Sequence, residues 1–226
     1  MQSTAILVDG GFYLKRAHDL WGEKAPQDRA EELFRYCLHH INTERRQARA
    51  DTELYRIFFY DCPPSSRTVH HPITGNVDLK KTALYKWSTD FHQSLRSKRK
   101  VALRLGRLAD ERLGYVLSPK ATRELLSGKL QVTDLKDYHF NLNITQKGVD
   151  IKLSIDIASM AYKRQVNQII LVAGDSDFVP ITKLARREGI DVILDPMGNH
   201  IPQDLQEHID GIRSFQFDVT RPKPTN

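Results

Sequence analysis

Four aspartates fall where strands should end or helices begin: Asp9 after AILV, Asp150 in QKGVD, and Asp175 and Asp177 in LVAGDSDF. In an open parallel sheet the C-terminal ends of the strands share one edge, so carboxylates far apart in the chain are expected to converge there into one acidic pocket. Carboxylate oxygens suit Mg²⁺ or Mn²⁺, and such ions activate water and steady the charge that develops when a phosphodiester is attacked. Metal-dependent cleavage of nucleic acid is the chemistry these residue types point to.

Each residue also has a plainer role. Asp9, before Gly10 and Gly11, has the form of a turn residue, with glycines letting the backbone bend sharply at the strand end. Asp177 reads equally as a helix N-cap, and Asp150, after Gly148, as a partner for the positive end of a helix dipole. Asp175 is harder to explain structurally, because one cap suffices and a second carboxylate adds repulsion that a cation would offset. Asp156 lies six residues past Asp150, about 9 Å along a helix axis and roughly 120° off its face. It reads as a semi-buried structural carboxylate, placed to orient a ligand rather than to share the ion. Lys147, just before the Asp150 turn, is placed to hold a phosphate, and Ser176 to donate a hydrogen bond to one. The basic runs RR at 45–46 and SKRK at 97–100 read as solvated faces that also suit RNA or DNA.

The elements that must position these residues follow from periodicity. Residues 4–9 form a short buried strand, FYLKRAHDLW a helix, and 27–49 an amphipathic helix through Ala30, Leu33, Phe34, Cys37, Leu38 and Ile41. ELYRIFFYDC, ending at Pro63 and Pro64, is a second strand. Residues 63–76 read as loop, with His70 and His71 in an exposed turn, 79–97 as a helix, and KVALRLGRL as a third strand. Residues 109–146 mix glycine, proline and polar residues and are expected to form an insertion with short elements of its own. From Asp150 to Lys163 the pattern is helical through Ile151, Ile155, Ala158 and Ala161. QIILVAG, FVPITKLARREG and IDVILD then alternate strand, helix, strand, with Pro180 in the helix's first turn and Gly189 at its end. That alternation marks a parallel α/β sheet. A short helix near 203–208, a strand IRSFQF and a frayed tail at 218–226 complete the expectation.

Composition sets the outer bounds. The 226 residues can bury a full core, and no segment approaches the roughly 18 apolar residues of a membrane span. AILV is too short for a signal-peptide core, so a cytoplasmic protein with no membrane contact is expected. Cys37 and Cys62 lack zinc-site spacing and read as reduced, structural thiols. Lys and Arg exceed Asp and Glu by 34 to 28, a net +6. A chain that gathers acid at four positions yet stays basic carries its positive charge elsewhere, which suits an anionic polymer.

ILVDGGFYLKR, QKGVDIKLSIDIASMAYK and IILVAGDSDFVPITKLARREGIDVIL, in that order, resemble the NYN domain, specifically the LabA-like bacterial branch of the PIN-like nuclease group. The resemblance covers the N-terminal strand and residues 147–195. It implies a Rossmann-like, PIN-like three-layer α/β fold with a central, mostly parallel sheet. It also implies an acidic site at the ends of the first and fourth strands, dependence on Mg²⁺ or Mn²⁺, and RNA as substrate. Position by position it assigns Asp9, Asp150, Asp175 and Asp177 as catalytic and metal-site carboxylates, and Asp156 falls on another acidic position of the pattern. The usual motif reads DGN where this chain has DGG, so Gly11 stands in place of an asparagine. An additional acidic residue that many PIN-like nucleases carry on an early helix is not identifiable.

The expected layout is one domain over 1–217 with the insertion at about 109–146. The expected function is that of an endoribonuclease cutting single-stranded RNA, with self-association left open. A non-catalytic RNA-binding or adaptor protein is the alternative that Gly11 favours. A nucleotide-sugar transferase using Asp-x-Asp leaves Asp9 and Asp150 without a job.

Overall fold

A computed structural model describes residues 2–47, 52–109 and 113–215, the side chains of 44–47 excepted. The chain runs β1 (Gln2–Asp9), α1 (Gly10–Trp21), α2 (Pro26–Gln47), β2 (Thr52–Asp61), β3 (Thr68–His71), β4 (Gly75–Asp78), α3 (Ala83–Arg96), β5 (Val101–Leu105), β6 (Arg107–Leu108) and β7 (Gly114–Leu117). It continues through α4 (Pro119–Leu126), β8 (Phe140–Asn143), β9 (Gln146–Lys147), α5 (Val149–Tyr162), β10 (Gln168–Val172), α6 (Val179–Arg187), β11 (Asp191–Asp195), α7 (Gln203–Gln206) and β12 (Gly211–Ile212). The expected RR at 45–46, the end of IRSFQF and the tail at 218–226 lie outside the described side chains or residues.

Six strands form one sheet in the order β12-β11-β10-β1-β2-β5, and every neighbouring pair is parallel. The mostly parallel α/β sheet expected from the sequence is therefore present. From β1 the chain steps outward through β2 and β5, then returns to the other side of β1 and steps outward through β10, β11 and β12. Parallel crossovers that step outward in both directions from β1 place helices on both faces, giving three layers. The order reverses between β1 and β10, which leaves a crevice beyond the ends of those two strands.

Burial explains why the inner strands read as unbroken apolar runs. Ala5 to Val8 and Ile169 to Val172 are fully buried, because helices cover both faces of such a sheet. The register is pinned at the opposite edge by a polar ladder. Thr4 Oγ1 donates to Gln168 Oε1 (3.1 Å), and Gln168 Nε2 donates to Asp191 Oδ2 (2.7 Å), so a slipped strand would bury these groups unpaired.

The described residues fall into two compact units, one within Met1–Asp61, Asp90–Gly106 and Gly148–Asn226, the other within Cys62–Thr89 and Arg107–Lys147. The first holds the parallel sheet. The second is built from three antiparallel pairs: β3 with β4, β6 with β9, and β7 with β8. It takes in the 109–146 segment together with 62–89.

Two expectations need correction. Residues 63–76 are not all loop, since β3 and β4 form a hairpin there, and His71 is buried rather than exposed. Its Nδ1 accepts the backbone N–H groups of Ile73 and Thr74, and its ring packs edge-on against Tyr115 and Phe140. A histidine alternates there with Val69 as the inward residue, a period-2 pattern that polarity hides. The second correction concerns α5. Its buried face is Val149, Leu153, Ile157, Met160 and Ala161, while Ile151 and Ile155 are 65% and 61% exposed. Ile151 and Ile155 form a second apolar stripe on the helix, so periodicity could not choose its inner face.

Gly10 and Gly11 also act differently from a flexible turn. Both are the first residues of α1. A Cβ on Gly10 would stand 2.5 Å from the Tyr60 carbonyl oxygen and 2.7 Å from the Phe59 ring, so only glycine lets α1 start against β2. A Cβ on Gly11 would meet only Asp9 Oδ1, at an ordinary 3.6 Å. Urea unfolding is expected to show Gly10→Ala destabilised by at least about 2 kcal/mol, as for overpacking against backbone. Gly11→Ala should be neutral or slightly stabilising, as alanine generally is inside a helix. Equal stability of the two variants would contradict the close approach.

Candidate functional site

Asp9 is the last residue of β1 and the N-cap of α1, where its Oδ1 accepts the Phe12 N–H at 3.2 Å. The carboxylate is fixed rather than free to swing. Across the crevice, β10 ends at Val172 and the chain passes Gly174, where a Cβ would stand 2.6 Å from the Phe12 ring. That glycine lets the end of β10 approach the start of α1. Asp175 then caps a short 3-10 turn over Ser176–Phe178, its Oδ1 accepting the Asp177 N–H at 3.1 Å. Asp150 occupies the first turn of α5, after Gly148 in a left-handed conformation (φ +79°).

Electrostatics ties these residues together. Burial pushes the Asp9 carboxyl up to about 6; the Phe12 N–H pulls it back, and the negative charges of Asp150 and Asp61 push it further. Asp150 is raised as well, first by burial and then by Asp175 and Asp177. The field therefore runs from Asp61 through Asp9 and Asp150 to Asp175 and Asp177. Asp150 thus shares a field with Asp9 on one side and with Asp175 and Asp177 on the other, and Asp61 adds to the field at Asp9. Asp9 is half-buried; Asp150, Asp175 and Asp177 are exposed to solvent.

Among the described residues no three His, Cys, Asp or Glu side chains stand close enough to ligate one ion. Burial raises the Asp9 and Asp150 carboxyls most, and repulsion from neighbouring aspartates adds to it. An all-carboxylate oxygen set suits a hard divalent ion, whose charge would relieve the repulsion. The residue types present fit a hard divalent cation.

The other sequence-predicted residues are placed as follows. Asp156 lies apart from the acidic group, where its Oδ2 accepts Tyr60 O–H at 2.9 Å and Arg104 Nε–H at 2.8 Å. Ser176 Oγ donates to Asp204 Oδ1 at 3.0 Å. Lys147 closes β9, exposed, three residues before Asp150 in the chain. In SKRK, Lys98 pairs with Glu31, and Lys100 with Glu53 and the Leu54 carbonyl. Cys37 and Cys62 are buried thiols that form no disulfide.

Asp61 went unnoticed in the sequence. It ends β2 one position past the residue paired with Asp9, and its Oδ2 lies 2.8 Å from Nε2 of buried His92 on α3. The signal was available, because FFYDCPP has the same strand-then-aspartate form as ILVDGG. The form alone does not separate functions, however. VILDPMG has it too, yet Asp195 is wholly buried and fully used: it pairs with Tyr36 Oη and His40 Nε2 and accepts from Met197 N–H and Ser214 O–H.

A family model described as the NYN domain matches residues 91–214. The chain belongs to the NYN domain family. NYN domains are generally nucleases of the PIN-like kind, which makes nucleic acid the substrate class. The matched span of the NYN model contains Asp150, Asp175 and Asp177 and starts beyond Asp9 and Asp61, which join the group through the register of β1, β2 and β10. A crystal structure of a protein of unknown function from Vibrio parahaemolyticus is similar over 94% of this chain and 92% of that one, at TM-score 0.47 and 16% identity. No curated protein matches the chain. Among the described residues, no helix of this NYN protein is long and apolar enough to cross a membrane.

The Asp9 carboxyl gives a stability prediction with a definite sign. Its ordinary value is 3.8 and its folded value about 6, so between those pH values the folded protein holds more proton than the unfolded chain. Without metal, stability should fall as pH rises through that window, by on the order of 2 kcal/mol. Asp9→Asn keeps a capping side chain and removes the charge. Urea unfolding in EDTA should find the variant more stable than the parent at pH 7.5, with the two closer at pH 4.5. A variant less stable at pH 7.5 would contradict the repulsion.

Proposed function

We propose that this NYN protein is a metal-dependent endoribonuclease of the LabA-like branch that hydrolyses phosphodiester bonds in single-stranded RNA, acting in the cytoplasm. The observation that carries the reading is the electrostatic coupling of Asp9, Asp150, Asp175 and Asp177 at the sheet's switch point. Ligand crevices of open parallel sheets lie there.

Asp9, Asp150, Asp175 and Asp177 would hold Mg²⁺ or Mn²⁺, and Asp61, steadied by His92, adds negative charge beside Asp9. The ion when bound supplies an activated water and neutralises charge on the attacked phosphate. The protein's own part is orientation. The Phe12 N–H fixes Asp9 and the Asp177 N–H fixes Asp175, so both are set before substrate arrives. Lys147 is proposed to hold the RNA backbone. Ser176 would have to exchange its bond to Asp204 to reach a phosphate oxygen. Single strands fit because no duplex has to be opened. We take residues 1–217 as one domain, with the 109–146 segment as its elaboration and 218–226 as a tail.

One observation favours a second reading, an RNA-binding adaptor without turnover. Gly11 faces Asp9, where the motif's usual asparagine would place an amide near that carboxylate.

The two readings separate on labelled single-stranded RNA incubated with Mn²⁺ or EDTA, beside Asp175→Asn. Cleavage with Mn²⁺, none in EDTA, and a loss of about 100-fold or more in the variant is the expected result for removal of a metal-site carboxylate. Binding with no cleavage in Mn²⁺ would establish the adaptor. Cleavage that survives EDTA and the substitution would place the activity elsewhere.

A further inference from the structure

Beside α7 lies an open cleft of about 660 Å³, lined by His200, Ile201, Gln203, Gln206 and Glu207. Its volume is within the roughly 300–1,000 Å³ range of small-ligand sites. The cleft is tethered to the acidic loop. Ser176, between Asp175 and Asp177, donates to Asp204 Oδ1, and that same oxygen accepts the Leu205 N–H at 2.8 Å. Leu205 is fully buried, which anchors α7 from beneath. At its far end, Arg186 Nη1 donates to the Glu207 carbonyl (3.3 Å) and Nε to Asp210 Oδ1 (2.8 Å). Gln206 and Glu207 are therefore carried on a short element fixed directly to the loop that bears two of the proposed site carboxylates.

The lining chemistry narrows the ligand. It contains no lysine or arginine, and Glu207, with Asp204 next to it in the tether, makes the cleft hostile to phosphate. What it offers is an exposed imidazole for stacking, an amide at Gln206 that both donates and accepts, and a carboxylate at Glu207 that only accepts. This is the kit for a nucleobase. Gln203 Nε2 donates to Glu207 Oε1 at 3.1 Å, which steadies the carboxylate and leaves Oε2 to receive another donor. Adenine, cytosine and guanine present an amino group to such an oxygen. Uracil presents two carbonyls around a single N–H, and those carbonyls are repelled.

We propose that the α7 cleft is a base-recognition subsite for single-stranded RNA, discriminating in favour of bases with an exocyclic amino group and against uracil. This rests on the RNA-cleaving reading above, yet it is tested separately from cleavage.

Fluorescence anisotropy with labelled RNA hexamers of A, C and U, in Ca²⁺ to neutralise the carboxylates, measures binding alone. The A and C hexamers should bind at least about threefold tighter than the U hexamer, the scale of one hydrogen bond lost. Glu207→Gln, which restores a donor for uracil carbonyls, should bring the ratio to within about twofold, and Gln206→Ala should weaken the A and C hexamers. Equal affinity of wild type for all three hexamers overturns the subsite, and so does an unchanged ratio in Glu207→Gln. Cleavage with Mn²⁺ but no base ratio removes the subsite and leaves the nuclease. A base ratio with no cleavage keeps the subsite and removes the nuclease.

Discussion

Carboxylates repel one another, and this fold sets them side by side. In a sheet whose strands all point the same way, every strand end arrives at one edge, and here β1, β2 and β10 each bring an aspartate to it or just beyond it. The helix that leads into β10, α5, adds Asp150 from its first turn. Two glycines make the crowding feasible: Gly10 lets α1 start against Tyr60 and Phe59, and Gly174 clears the Phe12 ring. The cost appears in Asp9, whose carboxyl is pushed up to about 6. A protein selected only for stability would not keep that arrangement.

The contrast with the other buried acids sharpens the point. Glu32 is wholly buried and paired with Arg29, Lys24 and Tyr13. Asp156 has Arg104 and Tyr60, and Asp195 has four donors or ring partners that tie α2, β11 and the following turn together. Each of these carboxylates is held by groups that complement it. Asp9 is met by the backbone N–H groups of Phe12 and Gly11 and faces negative neighbours. Buried or half-buried charge is tolerated where it is paired, and charge that is crowded instead of paired is what the proposed cation would offset.

Much of this was legible in the sequence, for physical reasons that also explain the gaps. The inner strands announce themselves because both faces are buried, and Asp9, Asp175 and Asp177 are visible because each follows such a run. Asp150 is visible as an acid at a helix start after glycine. Asp61 is the next-to-last residue of the run ELYRIFFYDC before two prolines, and nothing local ties it to His92, thirty-one residues on. Only the sheet's register sets it beside Asp9. Likewise α5 carries a second apolar stripe outside its buried face, so its exposed Ile151 and Ile155 pass for core. The β3–β4 hairpin hides behind a histidine whose ring does the work of an aromatic core residue. Residues 109–146 stayed obscure because their strands of two to four residues are too short to show a period.

The central claim is that the crowded carboxylates form one cation-holding centre. Calorimetric titration of Mn²⁺ into the protein at pH 6, repeated in buffers of different ionisation enthalpy, reads both binding and the protons it displaces. The account predicts saturable binding accompanied by proton release, because Asp9 is about half protonated there. In Asp9→Asn the affinity should fall and the release should shrink. Binding that releases no proton and is indifferent to Asp9→Asn, or no saturable binding at all, would contradict it.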